Sequence, residues 1–321
     1  MAGFKKRLMR FLLLLLSCFT IAQAYSQDFS KVDSIVAGYP RFYSSADKLA
    51  ALINKDFTGK QDKARAIFTW IAQNVQFDVK ESSNKVVFRY ATEQEKITKE
   101  KKYKSELILK ALREHKTTNR GYAWLYETLG TACGLECVII SGYLKSVPDD
   151  ISKLPTTVNH IWNAVKIDNK WNFVDTTIAA GSVGADGEFN ADFNDSYFFT
   201  SPDVFFLNHY PSNEKWLFVP KNKQDFASLP LFYGNYLKTN YKIVSPDKGH
   251  LSITDNNTVS FKIEGLDPSI PVSYFTDGKS SLELMEQNET TLEYVARVDK
   301  TTDKYITLYI EDKLIATYKL I

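Results

Sequence analysis

The stretch from Thr117 to Thr177 constrains the fold more than any other part of the chain, because its apolar period changes there from helical to extended. Tyr122, Leu125, Tyr126 and Leu129 recur at three- and four-residue steps and predict a helix from about Asn119 to Cys133. Thr117 and Thr118 offer hydroxyls at its start, and Gly134 offers a stop. A Cys-Val-Ile-Ile strand follows at once, Glu136 to Tyr143, ending in Ser141-Gly142-Tyr143. Two more strands, His160–Ile167 and Lys170–Thr176, are separated only by Asp168-Asn169, a two-residue hairpin turn. A helix laid on an antiparallel sheet is expected, which is an α+β arrangement.

The flanks extend this picture. Residues 25–60 read as a helical lead-in, with Ser44-Ser45 capping a helix through Ala46 to Asn54. Ala64, Ile67, Phe68, Ile71 and Val75 place a second helix over Asp62 to Val75, and Gln76 to Val79 reads as extended. Residues 80–103 are polar and read as a long surface loop. Its lysines 96, 99, 101, 102 and 104 alternate with Glu95, Glu100 and Glu106, the pattern of a solvated face or loop. Beyond 219–240 short β-like runs recur between turns: Val259–Ile263, Val272–Phe275, Leu292–Val298, Tyr305–Ile310 and Leu314–Leu320. These predict a small all-β sandwich of Ig-like type over 241–321, joined by a linker at 219–240 to a first domain over 25–218.

The first 24 residues read as a secretory signal. Lys5, Lys6, Arg7 and Arg10 precede an apolar run from Phe11 to Ile21, and Ala22-Gln23-Ala24 is a small-x-small cleavage pattern. The run is short of the roughly 20 residues a membrane span needs, so no integral membrane segment is expected. Leu15-Leu16-Ser17-Cys18 loosely resembles a lipobox, so anchoring through Cys18 is the alternative to a freely exported, periplasmic or extracellular protein. Losing residues 1–24 removes four of 40 basic residues and none of 38 acidic ones, moving the formal charge from +2 to −2. That lacks the basic excess of a nucleic-acid binder. Cys133 and Cys137 then remain, either bridged or as two free thiols. The four histidines show no metal-ligand spacing, so no metal and no cofactor are expected.

Chemistry gathers in three pieces: Asn119-Arg120-Gly121-Tyr122-Ala123 at a helix start, His160-Ile161-Trp162-Asn163-Ala164-Val165 on one strand, and Trp171-Asn172-Phe173-Val174-Asp175 on the next. If Asp168-Asn169 is the turn, His160 falls opposite Thr177 and Asp175 lies diagonal to it on the same face. A carboxylate beside an imidazole fixes the tautomer and stabilises the imidazolium, as a general base requires. A nucleophile at the helix start would complete such a set.

In this order the motifs resemble the transglutaminase-like superfamily, which shares its core with papain-like cysteine proteases, and within it the kyphoscoliosis-peptidase-like branch. Asp195-Ser196-Tyr197-Phe198-Phe199-Thr200-Ser201-Pro202, His209-Tyr210-Pro211 and Glu214-Lys215-Trp216 fit the same pattern, as do Lys63-Ala64-Arg65-Ala66-Ile67 and Phe77-Asp78. The resemblance covers about residues 30–218 and implies a transglutaminase-like domain with His160 as base and Asp175 as its orienting carboxylate. It also aligns the family's catalytic cysteine with Asn119. An amide has no ionisable nucleophile. Cys133, 14 residues along the helix, lies ~21 Å away.

The expected function is therefore an exported, catalytically inactive transglutaminase-like protein that binds or scaffolds a protein, peptide or cell-envelope partner. One alternative is an active peptidase or acyl-transferase using His160, Asp175 and an unrecognised nucleophile. The other is a structural envelope spacer. Tyr122, Tyr143 and Trp162 are candidates to line the cleft, against a plain packing role. Asn119 would either close a neutral network with His160 or cap its helix.

Overall fold

The computed structural model describes residues 28–84, 89–184, 186–288, 291 and 293–321. The signal segment, with Cys18, lies outside the described residues. Three helices open the chain: α1 (Ser30–Ala37), α2 (Ala46–Asp56) and α3 (Lys60–Asn74). Nine consecutive residues of α3, Ala64 to Ala72, are buried, so it is a core helix rather than an amphipathic cover. Arg65 is buried with them, because its guanidinium makes two bonds to Asp33 of α1, at 2.9 and 2.6 Å, and packs against the rings of Phe29 and Phe198.

A short parallel pair, β1 (Gln76–Phe77) with β2 (Lys116–Thr117), brackets α4 (Val79–Ser82) and α5 (Glu93–Glu114). Helix α5 runs through residues 93–103, where the sequence reads as a loop. Thr92 caps it, and Lys96–Glu93, Lys99–Glu95 and Lys102–Glu106 pair along it at three- and four-residue spacing. Such pairs support a helix locally, while only its last part, Leu107, Ile108, Ala111 and Leu112, reaches the core.

Helix α6 (Asn119–Ala132) ends where Gly134 takes a positive φ of 76° and Leu135 N–H returns to Gly130 O. β3 (Glu136–Leu144) leaves directly from that turn. β4 (His160–Ile167) and β5 (Lys170–Val174) form the expected hairpin, with Asp168 and Asn169 both at positive φ as the favoured two-residue turn demands. The register runs from Ile167 opposite Lys170 to Asn163 opposite Val174. β5 ends two residues before Thr176, because Asp175 caps α7 (Thr176–Ala180) instead of continuing the strand. A β6–β7 ribbon (Gly181–Val183 with Phe189–Ala191) follows, then β8 (Phe198–Thr200), α8 (Pro202–Phe205) and β9 (His209–Pro211). The main sheet has the antiparallel order β8-β5-β4-β3-β9, and α6 packs on β3 and β4.

Residues 219–240 are ordered: they hold α9 (Lys223–Ser228), β10 (Leu231–Phe232) and α10 (Gly234–Leu237). The Lys145 Nζ, just past β3 and with its pKa lowered to about 7 by burial, reaches the carbonyl oxygens of Phe226, Ala227 and Leu229 at 2.9, 3.2 and 2.7 Å and pins this segment to the main sheet. The C-terminal region folds as two sheets around a second apolar cluster. Four strands, β11 (Lys242–Ser245), β13 (Thr258–Glu264), β17 (Glu293–Arg297) and β16 (Glu286–Gln287), form one sheet. The other runs β10-β19-β18-β14-β15, with β12 (His250–Leu251) also on β19; here β14 is Val272–Thr276, β15 Glu283–Leu284, β18 Tyr305–Ile310 and β19 Lys313–Leu320. The burial of β13 alternates strictly, so one face meets the core and the other meets water. No helix among the described residues is long and apolar enough to cross a membrane.

Candidate functional site

The site is organised by the departure of Asp175 from the sheet. As the N-cap of α7, its Oδ1 accepts the N–H groups of Thr177 at 2.9 Å and Ile178 at 3.2 Å. That turns Oδ2 back toward the strands, where His160 Nε2 lies 2.5 Å away and His209 Nε2 3.0 Å away. All three side chains are buried. His160 and Asp175 thus meet as the hairpin register implies, although Asp175 sits in a helix cap and not in a strand.

Two opposing effects act on Asp175. Burial pushes its carboxyl up, but the charge and hydrogen bonds of His160 and His209 outweigh burial and hold it well below the usual carboxylate range. Burial pushes His209 down to about 4, against the pull of Asp175. With burial holding it near 4, His209 is neutral at pH 7 and has a single N–H to give. Its Nδ1 lies 2.6 Å from Asn208, whose amide in turn meets the Tyr197 hydroxyl at 3.1 Å. A buried chain of polar groups thus runs from Tyr197 through Asn208, His209 and Asp175 to His160. Apolar rings wall it in: Phe205 stacks on His209 at 3.9 Å, and Trp162 stands edge-on to it at 5.1 Å.

His160, Asp175 and His209 also form the one group among the described residues whose donor atoms could converge on a metal ion. Nitrogen and oxygen ligands about 2.1 Å from a zinc ion lie more than 3 Å apart around it. Both imidazoles here approach one carboxylate oxygen at 2.5 and 3.0 Å, which is the spacing of shared protons.

Asn119 opens α6, half-buried, on a cleft of about 500 Å³ that it lines together with Thr118, Arg120, Asn159, His160 and Glu81. Its amide does not bond to His160. Oδ1 accepts the Arg120 N–H at 2.8 Å and Nδ2 reaches Asn159 O at 3.4 Å; Asn119 is the first residue of α6, whose N-cap is Thr118 and makes no side-chain cap bond. Asn159 is itself fixed by a two-point bond to the Leu144 backbone at 2.8 and 2.9 Å.

Two of the three aromatic candidates for the cleft are core residues instead. Tyr122 is fully buried with its hydroxyl on Val75 O at 2.6 Å, because the inward stripe of α6 must cover α3. Trp162 is buried against both His160 and His209. Tyr143 lines a neighbouring cavity of about 330 Å³ that shares Asn159 with the first. Cys133 and Cys137 are free thiols at the far end of α6, and burial raises them to about 11 and 12. Sequence reasoning missed the place of His209, whose only local signal is its position in a short His-Tyr-Pro segment 34 residues beyond Asp175.

Residues 47–176 match the sequence model of the transglutaminase-like superfamily. Kyphoscoliosis peptidase of Homo sapiens is 26% identical over 248 residues, covering 76% of this chain and 35% of that protein. The Lim and transglutaminase domain protein ltd-1 of Caenorhabditis elegans is 25% identical over 231 residues, covering 67% and 30%. The chain thus spans about a third of the length of these relatives. A solved structure described as a TGase aligns over 54% of this chain and 38% of its own, at 16% identity and a TM-score of 0.27.

Proposed function

We propose, from the premise that residues 47–176 of this chain form a transglutaminase-like domain, that it is an exported, catalytically inactive module whose cleft binds a peptide, protein or cell-envelope partner. The observation that carries this reading is Asn119 at the head of α6, on the same cleft as His160. In this reading a neutral amide occupies the place from which a nucleophile would attack, and it cannot form the anion that an imidazole base would generate. The thiols elsewhere are poor substitutes. Cys133 caps the opposite end of the helix, ~21 Å along its axis, and burial disfavours both thiolates. The open cleft argues against a pure spacer, whose vestigial site could fill with side chains. Export rests on the leader pattern in residues 1–24.

A second reading, an active amide-bond enzyme, draws on the intact His160–Asp175 pair and on the word peptidase in the name of one relative. One comparison separates the two. Wild type and Asn119→Cys are assayed for peptide hydrolysis, amine incorporation and labelling by iodoacetamide. The expected result is a silent wild type and rapid labelling of the variant at position 119. Turnover by the wild type that His160→Ala abolishes would overturn the proposal.

A further inference from the structure

The cleft beside α6 presents cationic and donor groups without an anion to receive them. The first turn of α6 opens on it, bringing the partial positive charge of a helix start, with the Arg120 N–H already taken by Asn119 Oδ1. The imidazole of His160 is 96% buried yet lines this cleft. Its Nε2 is engaged by Asp175, and Nδ1 has no partner among the described residues. Nδ1 is thus the polar atom the ring offers to the space in front of Asn119; with Nε2 donating to Asp175, Nδ1 donates there when the ring carries its second proton, the form that a bound carboxylate favours.

The charges around the cleft point the same way. Arg120, exposed and one residue into α6, makes no ion pair among the described residues. Glu81, the acid that lines the cleft, is already held by the Lys110 ammonium, which Asp78 also contacts at 2.7 Å. Asp175 lies behind His160, buried and occupied by two imidazoles and two helix N–H groups. Asn119 contributes no charge, and its Oδ1 is turned to the Arg120 N–H. A helix start, a guanidinium and an imidazole edge therefore converge with no free carboxylate among them.

We infer that this cleft recognises a carboxylate of its peptide ligand, placed between the first turn of α6, Arg120 and His160 Nδ1. This rests on the reading of the cleft as a binding site and names the chemistry that the site selects. Both sources of a peptide carboxylate present the same two oxygens, the chain end and an acidic side chain. The guanidinium matches them in a planar, two-point contact, and the helix start favours any negative charge.

The test is titration of the protein with three small probes, followed by the NMR signal of the His160 ring protons. The probes are N-acetyl-Ala-Ala with a free carboxylate, the same dipeptide as its C-terminal amide, and N-acetyl-Glu-methylamide. At least one carboxylate probe should shift the His160 signals and bind tenfold or more tightly than the amide. Which carboxylate does so identifies the source. Arg120→Ala should weaken it about tenfold, and Asn119→Asp, which supplies a carboxylate from the chain itself, should abolish it. An amide probe that binds as well as the carboxylates would overturn the inference while leaving a binding cleft. Carboxylate binding that is unchanged in Arg120→Ala and in Asn119→Asp, or absent altogether, would overturn it too. Labelling of Asn119→Cys is scored independently, so failure here remains distinct from failure of the inactive-module reading.

Discussion

Acidifying this protein from pH 7 to pH 4 should remove about 3 kcal/mol of folding stability through His209 alone. Burial depresses its folded value to about 4 from an ordinary 6.5, and the side chain is fully enclosed, so solvent screening offers no discount. Between these values the unfolded chain binds the proton and the native ring does not. Stability is thus complete above about pH 6.5, falls as the pH drops toward 4, and levels off below. The groups that face His209 are Asp175, His160, Asn208 and Tyr197. Asp175, also depressed, adds its own loss only below its ordinary value of 3.8, outside this window. His115, pushed down mainly by burial, contributes in the same direction, so the wild-type slope alone is not diagnostic. The decisive comparison is urea unfolding of wild type and His209→Gln at pH 7 and pH 4. Glutamine keeps an N–H for Asp175 but cannot titrate. Whatever its stability at pH 7, the variant should lose about 3 kcal/mol less on acidification. Equal pH dependence in the two proteins would refute a neutral, burial-depressed His209.

Three other substitutions probe the same framework. Asp175→Asn removes the charge and one of two acceptor oxygens, so an NH2 must face either the imidazoles or the Thr177 and Ile178 N–H groups, and should cost on the order of 3–5 kcal/mol, read from the urea midpoint. Lys145→Met removes three donor contacts and strands the Leu229 carbonyl, since Phe226 O keeps the Leu229 N–H and Ala227 O the Ser152 N–H; a loss of about 1–3 kcal/mol is expected, with faster amide exchange confined to α9. Gly142→Ala would set a methyl 2.3 Å from Tyr210 O and 2.4 Å from Trp162, and should cost at least about 1–3 kcal/mol while disturbing the His160 NMR signals.

The parts legible in the sequence are those whose signals are local. The hairpin could be read because Asp168 and Asn169 tolerate the two positive φ values its turn needs, and that turn then set the register carrying His160 toward Asp175. Helix α6 could be read from one apolar stripe and a terminal glycine. Helix α5 was hidden because its first half has almost no apolar face and is supported by ion pairs along its own surface. The end of β5 was misplaced for a subtler reason. Asp175-Thr176-Thr177 is both a plausible strand end and a helix cap, and the cap prevails because two N–H groups take Oδ1. His209 left no periodic trace, since a three-residue strand has none to leave.

Gly142 connects these parts and gives Ser141-Gly142-Tyr143 a physical meaning. On β3, between β4 and β9, it sits opposite His160 on one side and Pro211 on the other. His209, two residues before Pro211, faces Leu144 on the same side of the sheet. Strands on either side of a common neighbour are ~9.6 Å apart, yet the two imidazole rings lie with centroids 5.5 Å apart. They can lean together because position 142 has no side chain, and the edge of Trp162 lies where its Cβ would be. The same omission lets the β9 backbone come close enough to present His209 to Asp175. The glycine therefore acts through absent volume, which periodicity does not register, and it leaves His160 with Nε2 fixed from behind and Nδ1 free toward the cleft.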